Sequence, residues 1–122
     1  MTKRTGRDMQ ATMANAPGAM TFDEVIEQLR LLGTSDRLVG LYELGIEGCA
    51  MGESRDVVTV LNELIGSLDY SYTDIAEGFR RVYEYCLEEV TQERLDTVGF
   101  ILKDLRDTLL RAMAEHDVSI SA

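Results

Sequence analysis

The chain has 122 residues, the length of a single domain, and its 45% hydrophobic and 28% charged residues are typical of a folded globular protein. Its 12 basic and 22 acidic side chains give a formal net charge of −10, which repels nucleic-acid backbones and anionic lipid surfaces. The longest uncharged stretch, residues 9–22, is interrupted by polar residues and is shorter than the roughly 20 apolar residues of a membrane span. We therefore expect a cytoplasmic protein that binds neither nucleic acid nor a membrane.

Residues 1–20 contain Gly6, Pro17 and Gly18 and carry no helical apolar stripe, so we interpret them as a flexible N-terminal tail. Pro17 is the only proline in the chain. The following hundred or so residues are thus free of the strongest helix breaker, which favours an all-helical domain. We assign residues 21–116 to this helical domain and residues 117–122 to a C-terminal tail.

The first helix is marked at both ends. Thr21, followed three residues later by Glu24, has the spacing of a capping box. Gly33 is placed to stop the helix. These signals predict a first helix over Phe22–Leu32.

The second helix is predicted to begin after a cap at Thr34 or Ser35 and to end near Met51, where Gly52 supplies a left-handed terminator. Glycine inside a helix costs up to about 1 kcal/mol relative to alanine. We therefore expect another helix to pack closely against the three glycines in its interior, which are Gly40, Gly45 and Gly48.

Three further helices follow, each with apolar residues at helical spacing. The third begins at Ser54 and is broken at residues 68–71, a capping box of Ser71 and Asp74 opens the fourth, and Thr91 caps the fifth. Short connections require neighbouring helices to run antiparallel. The predicted fold is therefore all-α, an antiparallel up-and-down bundle of four to five helices.

The sequence lacks the residue patterns of common catalytic and metal sites. His116 is the only histidine, and Cys49 and Cys86 have neither metal-ligand spacing nor neighbouring histidines, so we expect free buried thiols and no metal. There is also no phosphate-binding loop or nucleophile elbow, and we predict a protein that is not an enzyme and needs no cofactor. The remaining enzymatic alternative is a cationic pocket for a small dianion built from Arg80, Arg81 and Arg106.

The apolar sectors of the later helices are wider than one interface requires. Tyr83 and Tyr85 are two residues apart and point to different faces, so at least one of them reaches a surface or a groove. Phe100 and Ile101 widen the apolar seam of the fifth helix in the same way. Such a helix is either central in a bundle or offers a groove to a partner, and the spacing alone leaves both interpretations open.

A series of short motifs occurs in a recognisable order: TSDRLV at 34–39, LYE at 41–43, SLD at 67–69, IA at 75–76, VYEY at 82–85 and LRDT at 105–108. Over residues 34–110 this series resembles the flagellar secretion chaperones of the FliS type. The chain departs from that family in lacking a proline near Asp36 and in a shorter stretch from Leu41 to Asp69.

The resemblance implies a cytoplasmic export chaperone that holds the disordered C-terminal region of flagellin in an apolar helical groove and prevents its premature polymerisation before secretion. The export apparatus is an implied second partner, and no cofactor is implied. The groove residues that we select are Leu38, Leu41, Tyr42, Leu64, Leu68 and Tyr83, although core burial would explain each of them as well.

The alternative function is a non-catalytic self-association or regulatory module. In this alternative, the wide apolar faces of the helices and the close-packing glycines Gly40, Gly45 and Gly48 together build a symmetric helical dimer. The protein would then be a homodimer, whereas a chaperone with a vacant groove would be a monomer.

Overall fold

The computed structural model describes the backbone of residues 20–121 and the side chains of residues 20–115; the predicted N-terminal tail lies outside this range except for Met20. Five α-helices follow one another: α1 (Phe22–Arg30), α2 (Thr34–Ala50), α3 (Ser54–Gly66), α4 (Thr73–Thr91) and α5 (Leu95–Ser121), with one 3-10 turn at Tyr70–Tyr72. No strand occurs between residues 20 and 121, and the all-α prediction is confirmed. α5 continues past residue 116, where the sequence predicts the helical domain to end.

Four of the helices form a closed ring. α2 packs against α3, α3 against α4, α4 against α5, and α5 returns to α2, while α1 lies outside the ring against α2. Gly45 lies beside Leu102 and Cys49 beside Gly99, so residue numbers rise along α2 as they fall along α5. The two helices are therefore antiparallel, and the ring is the predicted up-and-down bundle with α1 as a short flanking helix.

The core contains aliphatic side chains from every helix, together with two tyrosines and one thiol. Val57, Val60, Leu61, Leu64, Val98 and Leu102 are completely inaccessible to solvent. Burial of this kind is the main favourable term in the folding of a small helical domain. The remaining buried members of the core cluster are Ile26, Leu41, Tyr42, Tyr83, Cys86 and Val90.

The glycines of α2 allow close helix packing, as predicted. A Cβ atom at Gly45 would lie 2.6 Å from Leu102 Cδ1, and one at Gly48 would lie 3.0 Å from Val57 Cγ2. At Gly40 an added Cβ would overlap the side chain of Leu29. All three glycines thus pack against helices of their own chain, and the prediction that they form a dimer surface is wrong because other side chains already occupy that space.

The capping box of α1 is confirmed, since the Glu24 amide donates to Thr21 Oγ1 at 3.2 Å and the Thr21 amide donates to Glu24 Oε1 at 3.4 Å. α1 nevertheless ends at Arg30, two residues before the predicted end. Gly33 has an extended backbone and is the N-cap of α2, so Thr34 and Ser35 lie within the helix and the prediction that one of them caps it is wrong.

Two further cap predictions are wrong for reasons that lie in local hydrogen bonds. The Ser71 amide donates to the Asp69 side chain at 2.9 Å, and this contact starts the 3-10 turn before α4. The Thr91 hydroxyl donates to the Glu88 carbonyl at 2.6 Å, so Thr91 is the last residue of α4 and not the cap of α5. The left-handed terminator at Gly52 is confirmed by its φ of 71°.

Candidate partner-binding groove

The six side chains selected from the sequence do not lie on an open surface. Leu41, Tyr42, Leu64 and Tyr83 are at most 3% exposed. The other two, Leu38 and Leu68, are half-buried against the same core. A partner can reach the four buried side chains only after a helix moves, and their part in client binding stays a prediction.

Tyr42 and Tyr83 meet inside the bundle. Their hydroxyl oxygens are 2.7 Å apart and share a hydrogen bond that links α2 to α4. Burial raises the pKa of both phenols above the ordinary value, which keeps them neutral. The Phe79 ring stacks on the Tyr83 ring with a centroid separation of 6.0 Å. Tyr83 therefore contacts both Tyr42 of α2 and Phe79 of its own helix.

An open groove runs between α4 and α5 and has a volume of about 440 Å³. These two helices pack less extensively than the other neighbouring pairs of the ring, which leaves the groove unfilled. Each wall is a run of side chains spaced by three and four residues, the spacing of one helix face. The lining residues are Arg81, Val82 and Tyr85 of α4 and Phe100, Ile101, Asp104 and Leu105 of α5.

The surface of the groove is largely apolar and accessible. Phe100 is 75% exposed and Tyr85 is 50% exposed, both unusually high for aromatic side chains. Ile75, Phe79 and Val82 follow one another on α4 at spacings of four and three residues, so the apolar surface extends from the groove to Ile75, which is 62% exposed. A contiguous apolar patch of this kind is typical of an interaction site.

Two charged residues of opposite sign lie in the groove, one on each wall. Arg81 belongs to α4 and Asp104 to α5. Among the described side chains neither makes an ion pair within 4.0 Å, whereas the neighbouring Arg80 is held by Glu77 at 2.7 Å and Glu84 at 3.6 Å. Both charges are therefore available to a bound partner.

A buried carboxylate fixes the aromatic wall of the groove. The Tyr85 hydroxyl donates to Glu89 Oε1 at 3.2 Å, and Arg94 Nη1 donates to Glu89 Oε2 at 3.0 Å. The Glu89 side chain is only 7% exposed, so both of its oxygens need these donors. The hydrogen bond from Tyr85 to Glu89 raises the pKa of that phenol. These contacts hold the Tyr85 ring in place before any partner arrives.

Part of this groove was visible in the sequence. The adjacent apolar pair at Phe100 and Ile101 indicated surplus apolar surface on the fifth helix, and Tyr85 was one of two tyrosines that could not share a core face. The roles of Glu89 and Arg94 were missed, because the two residues are five positions apart, in the last turn of α4 and in the connection that follows it, which is not a helical ion-pair spacing.

Among the described residues, two of the three arginines proposed for a cationic pocket contact carboxylates, and both thiols are protonated near neutral pH. Arg80 is bound by two glutamates, and Arg106 Nε lies 3.1 Å from Asp107 Oδ1. Burial raises the pKa of the Cys49 and Cys86 thiols to about 11, so neither is a thiolate near neutral pH. Both cysteines are free, as predicted, although Cys49 is only half-buried.

Within the described range, no three His, Cys, Asp or Glu side chains come together as they would around a metal ion. The helices in this range also include none with the length and apolar character required to cross a membrane.

No protein-family model matches the chain, and comparisons with curated proteins and with solved structures found no match. The resemblance to flagellar secretion chaperones therefore rests on the motifs between residues 34 and 110. The role of the groove is inferred from its own geometry.

Proposed function

We propose that the protein is a cytoplasmic, non-catalytic chaperone that binds an apolar segment of a client protein in the groove between α4 and α5. The observation that carries this proposal is the groove itself, which is open, mostly apolar and about 440 Å³ in volume. Binding of an amphipathic segment between two helices is a recurring mode of peptide recognition. The fixed Tyr85 ring supports such binding because a wall that is already ordered loses little entropy when the client docks.

The client that the motif series favours is the C-terminal region of flagellin. A disordered segment of this kind would fold against the groove and bury its apolar residues, which offsets the entropy lost on ordering. Bound flagellin could not polymerise through the same segment, and the complex could be passed to the export apparatus. Binding and transfer of the client require no cofactor and no covalent step.

Calorimetric titration of the protein with the C-terminal flagellin segment of the same organism tests this proposal, with circular dichroism as a second readout. We expect saturable binding near one to one and a gain of helix on mixing. Tyr85→Ala and Phe100→Ala should each weaken binding about tenfold or more, since buried aromatic anchors carry much of the energy of such interfaces.

Tyr72→Ala is the matched control, because Tyr72 is 65% exposed and lies outside the groove. It should leave the affinity unchanged. Binding that survives both groove substitutions would place the client elsewhere on the bundle. The absence of both heat and new helix, with a folded protein, would overturn the chaperone proposal.

Self-association is the second candidate, and the groove favours it in one respect. Phe100 lines the groove and is exposed, and Arg81 and Asp104 offer opposite charges that a two-fold related copy could pair. Sedimentation equilibrium separates the two functions. A mass of 13.6 kDa across the concentration range supports the chaperone, and a dimer that Phe100→Ala dissociates supports self-association.

A further inference from the structure

Gly78 is a glycine that the packing of this chain does not require. It lies inside α4, and a Cβ atom added there would meet no heavy atom within 4 Å. The interior glycines Gly45, Gly48 and Gly99 differ, because an added Cβ would lie 2.6, 3.0 and 3.3 Å from its nearest neighbour. Glycine within a helix lowers stability relative to alanine. Close packing offsets that loss at the other three positions, and among the described residues nothing offsets it at Gly78.

The position of Gly78 connects it to the groove. Gly78, Arg81, Val82 and Tyr85 are spaced as i, i+3, i+4 and i+7, so they share one face of α4. The last three line the groove, and Gly78 therefore extends the α4 wall by one turn towards the start of that helix. A wall without a side chain at this point lets the backbone of a bound segment come close to α4.

A helix suits this site better than an extended peptide. Backbone amides and carbonyls that are buried against an apolar wall need hydrogen-bond partners. A helix satisfies these groups internally, whereas an extended peptide would have to pair them with water or with a sheet edge, and the described part of the chain contains no strand. The close approach at Gly78 then corresponds to a crossing of two helices.

The charges in the groove give the bound helix a preferred orientation. Arg81 on the α4 wall favours an acidic residue on the flank of the partner that faces α4. Asp104 on the α5 wall favours a basic residue on the opposite flank. A helix docked in the reverse direction would exchange these flanks and place like charges together, which is unfavourable.

We propose that the groove accepts an amphipathic helix in one direction, with its backbone crossing α4 over Gly78, an acidic flank facing Arg81 and a basic flank facing Asp104. This inference rests on the proposed function and specifies the partner of the same groove. It makes Gly78 a residue whose absent side chain determines binding, although the fold would be more stable with alanine.

Gly78→Ala tests the proposal because stability and affinity should change in opposite directions. We expect the melting temperature to rise by about 4 °C, from the gain in helix propensity, while the affinity for the flagellin C-terminal segment falls about tenfold or more. Gly66→Ala is the matched control, since a Cβ at Gly66 also meets nothing within 4 Å and Gly66 lies outside the groove. It should leave the affinity unchanged.

The charge arrangement is tested with the same flagellin segment and Arg81→Glu, which should weaken binding about fivefold or more at low salt and less at high salt. Unchanged affinity in Gly78→Ala or in Arg81→Glu would overturn this inference and leave the chaperone proposal standing. A loss of melting temperature in Gly78→Ala would also overturn it, because Gly78 would then be needed for the fold. Failure of the unaltered protein to bind the segment would overturn both proposals.

Discussion

Tyr42 and Tyr83 place two hydroxyl groups in a core that is otherwise built from aliphatic side chains and a thiol. Each is at most 3% exposed, and the hydrogen bond between them is 2.7 Å long. A buried hydroxyl without a partner is destabilising, whereas removal of both partners leaves no unsatisfied group. At the scale of single residues, the two hydroxyls therefore act as one unit.

We predict that Tyr83→Phe lowers the free energy of unfolding by about 1–2 kcal/mol, because the Tyr42 hydroxyl loses its partner. The double variant Tyr42→Phe/Tyr83→Phe should be more stable than Tyr83→Phe alone. Urea unfolding of the single and double variants measures the coupling between the two residues. If the losses in the free energy of unfolding of the two single variants add up to that of the double variant, the two hydroxyls are not coupled.

Apolar spacing predicted which side chains avoid water, yet it could not distinguish the core from the groove. Tyr83 and Tyr85 show the difficulty, because one is 1% exposed and the other is 50% exposed. Both belong to the same amphipathic helix, and the distinction depends on which faces of α4 the other helices cover: Tyr83 meets Tyr42 in the core, whereas Tyr85 faces the groove. How the other helices cover α4 is a tertiary property and leaves no local signal in the sequence.

At the scale of helices, α2 and α4 end in the same hydrogen-bond pattern but have different residues at the position with a left-handed backbone. After α2, the Glu53 amide donates to the Gly48 carbonyl at 2.8 Å, and Gly52 has a φ of 71°. After α4, the Arg94 amide donates to the Glu89 carbonyl at 2.9 Å, and Glu93 has a φ of 59°. This is the Schellman ending, in which glycine normally occupies the left-handed position.

Glu93→Gly should raise the free energy of unfolding by about 1 kcal/mol, because glycine adopts the left-handed backbone without steric strain. Gly52→Ala is the complementary control and should lower it by a similar amount. Guanidinium unfolding of the two variants measures both effects. A loss of stability in Glu93→Gly would show that the Glu93 side chain contributes more than its backbone strain removes.

Helix number and order were predictable because the amphipathic stripes are long and proline is absent after Pro17. Helix ends were less predictable. Gly52 was identified as a left-handed terminator, but the equivalent position after α4 is a glutamate, which gives no such signal. Thr91 carried a cap signal, yet its hydroxyl bonds back into its own helix. A threonine hydroxyl can cap the start of a helix or accept a place in its last turn by bonding to a backbone carbonyl of the same helix. Which of the two occurs depends on where the chain turns.

At the scale of the whole molecule, the half-buried Cys49 thiol and the buried Cys86 thiol make the free energy of unfolding depend on pH in the alkaline range. The pKa of each thiol is raised from 9.0 to about 11, mainly by burial. Above pH 9 the thiols of the unfolded chain lose protons while those of the folded chain keep them. The unfolded state is thereby favoured, so this contribution to stability is present below pH 9 and is lost as the pH rises towards 11.

We predict that the urea midpoint is nearly constant between about pH 7 and pH 8.5 and falls progressively above pH 9. Cys49→Ala/Cys86→Ala should lower stability throughout because of the lost packing, but its midpoint should decline less between pH 9 and pH 10. An equal decline in both proteins would assign the effect to other groups. The phenols of Tyr42 and Tyr83 add their own loss above pH 10.

The order of helices around the ring also determines how the chain folds. α2 reaches α3, and α4 reaches α5, through connections at residues 51–53 and 92–94, so these two hairpins need little loop closure. The contact of Gly45 with Leu102 joins the first and last helices of the ring and encloses most of the domain in one loop. We expect the hairpins to form early and the α2–α5 contact late. Weakening that contact should then accelerate unfolding much more than it slows folding.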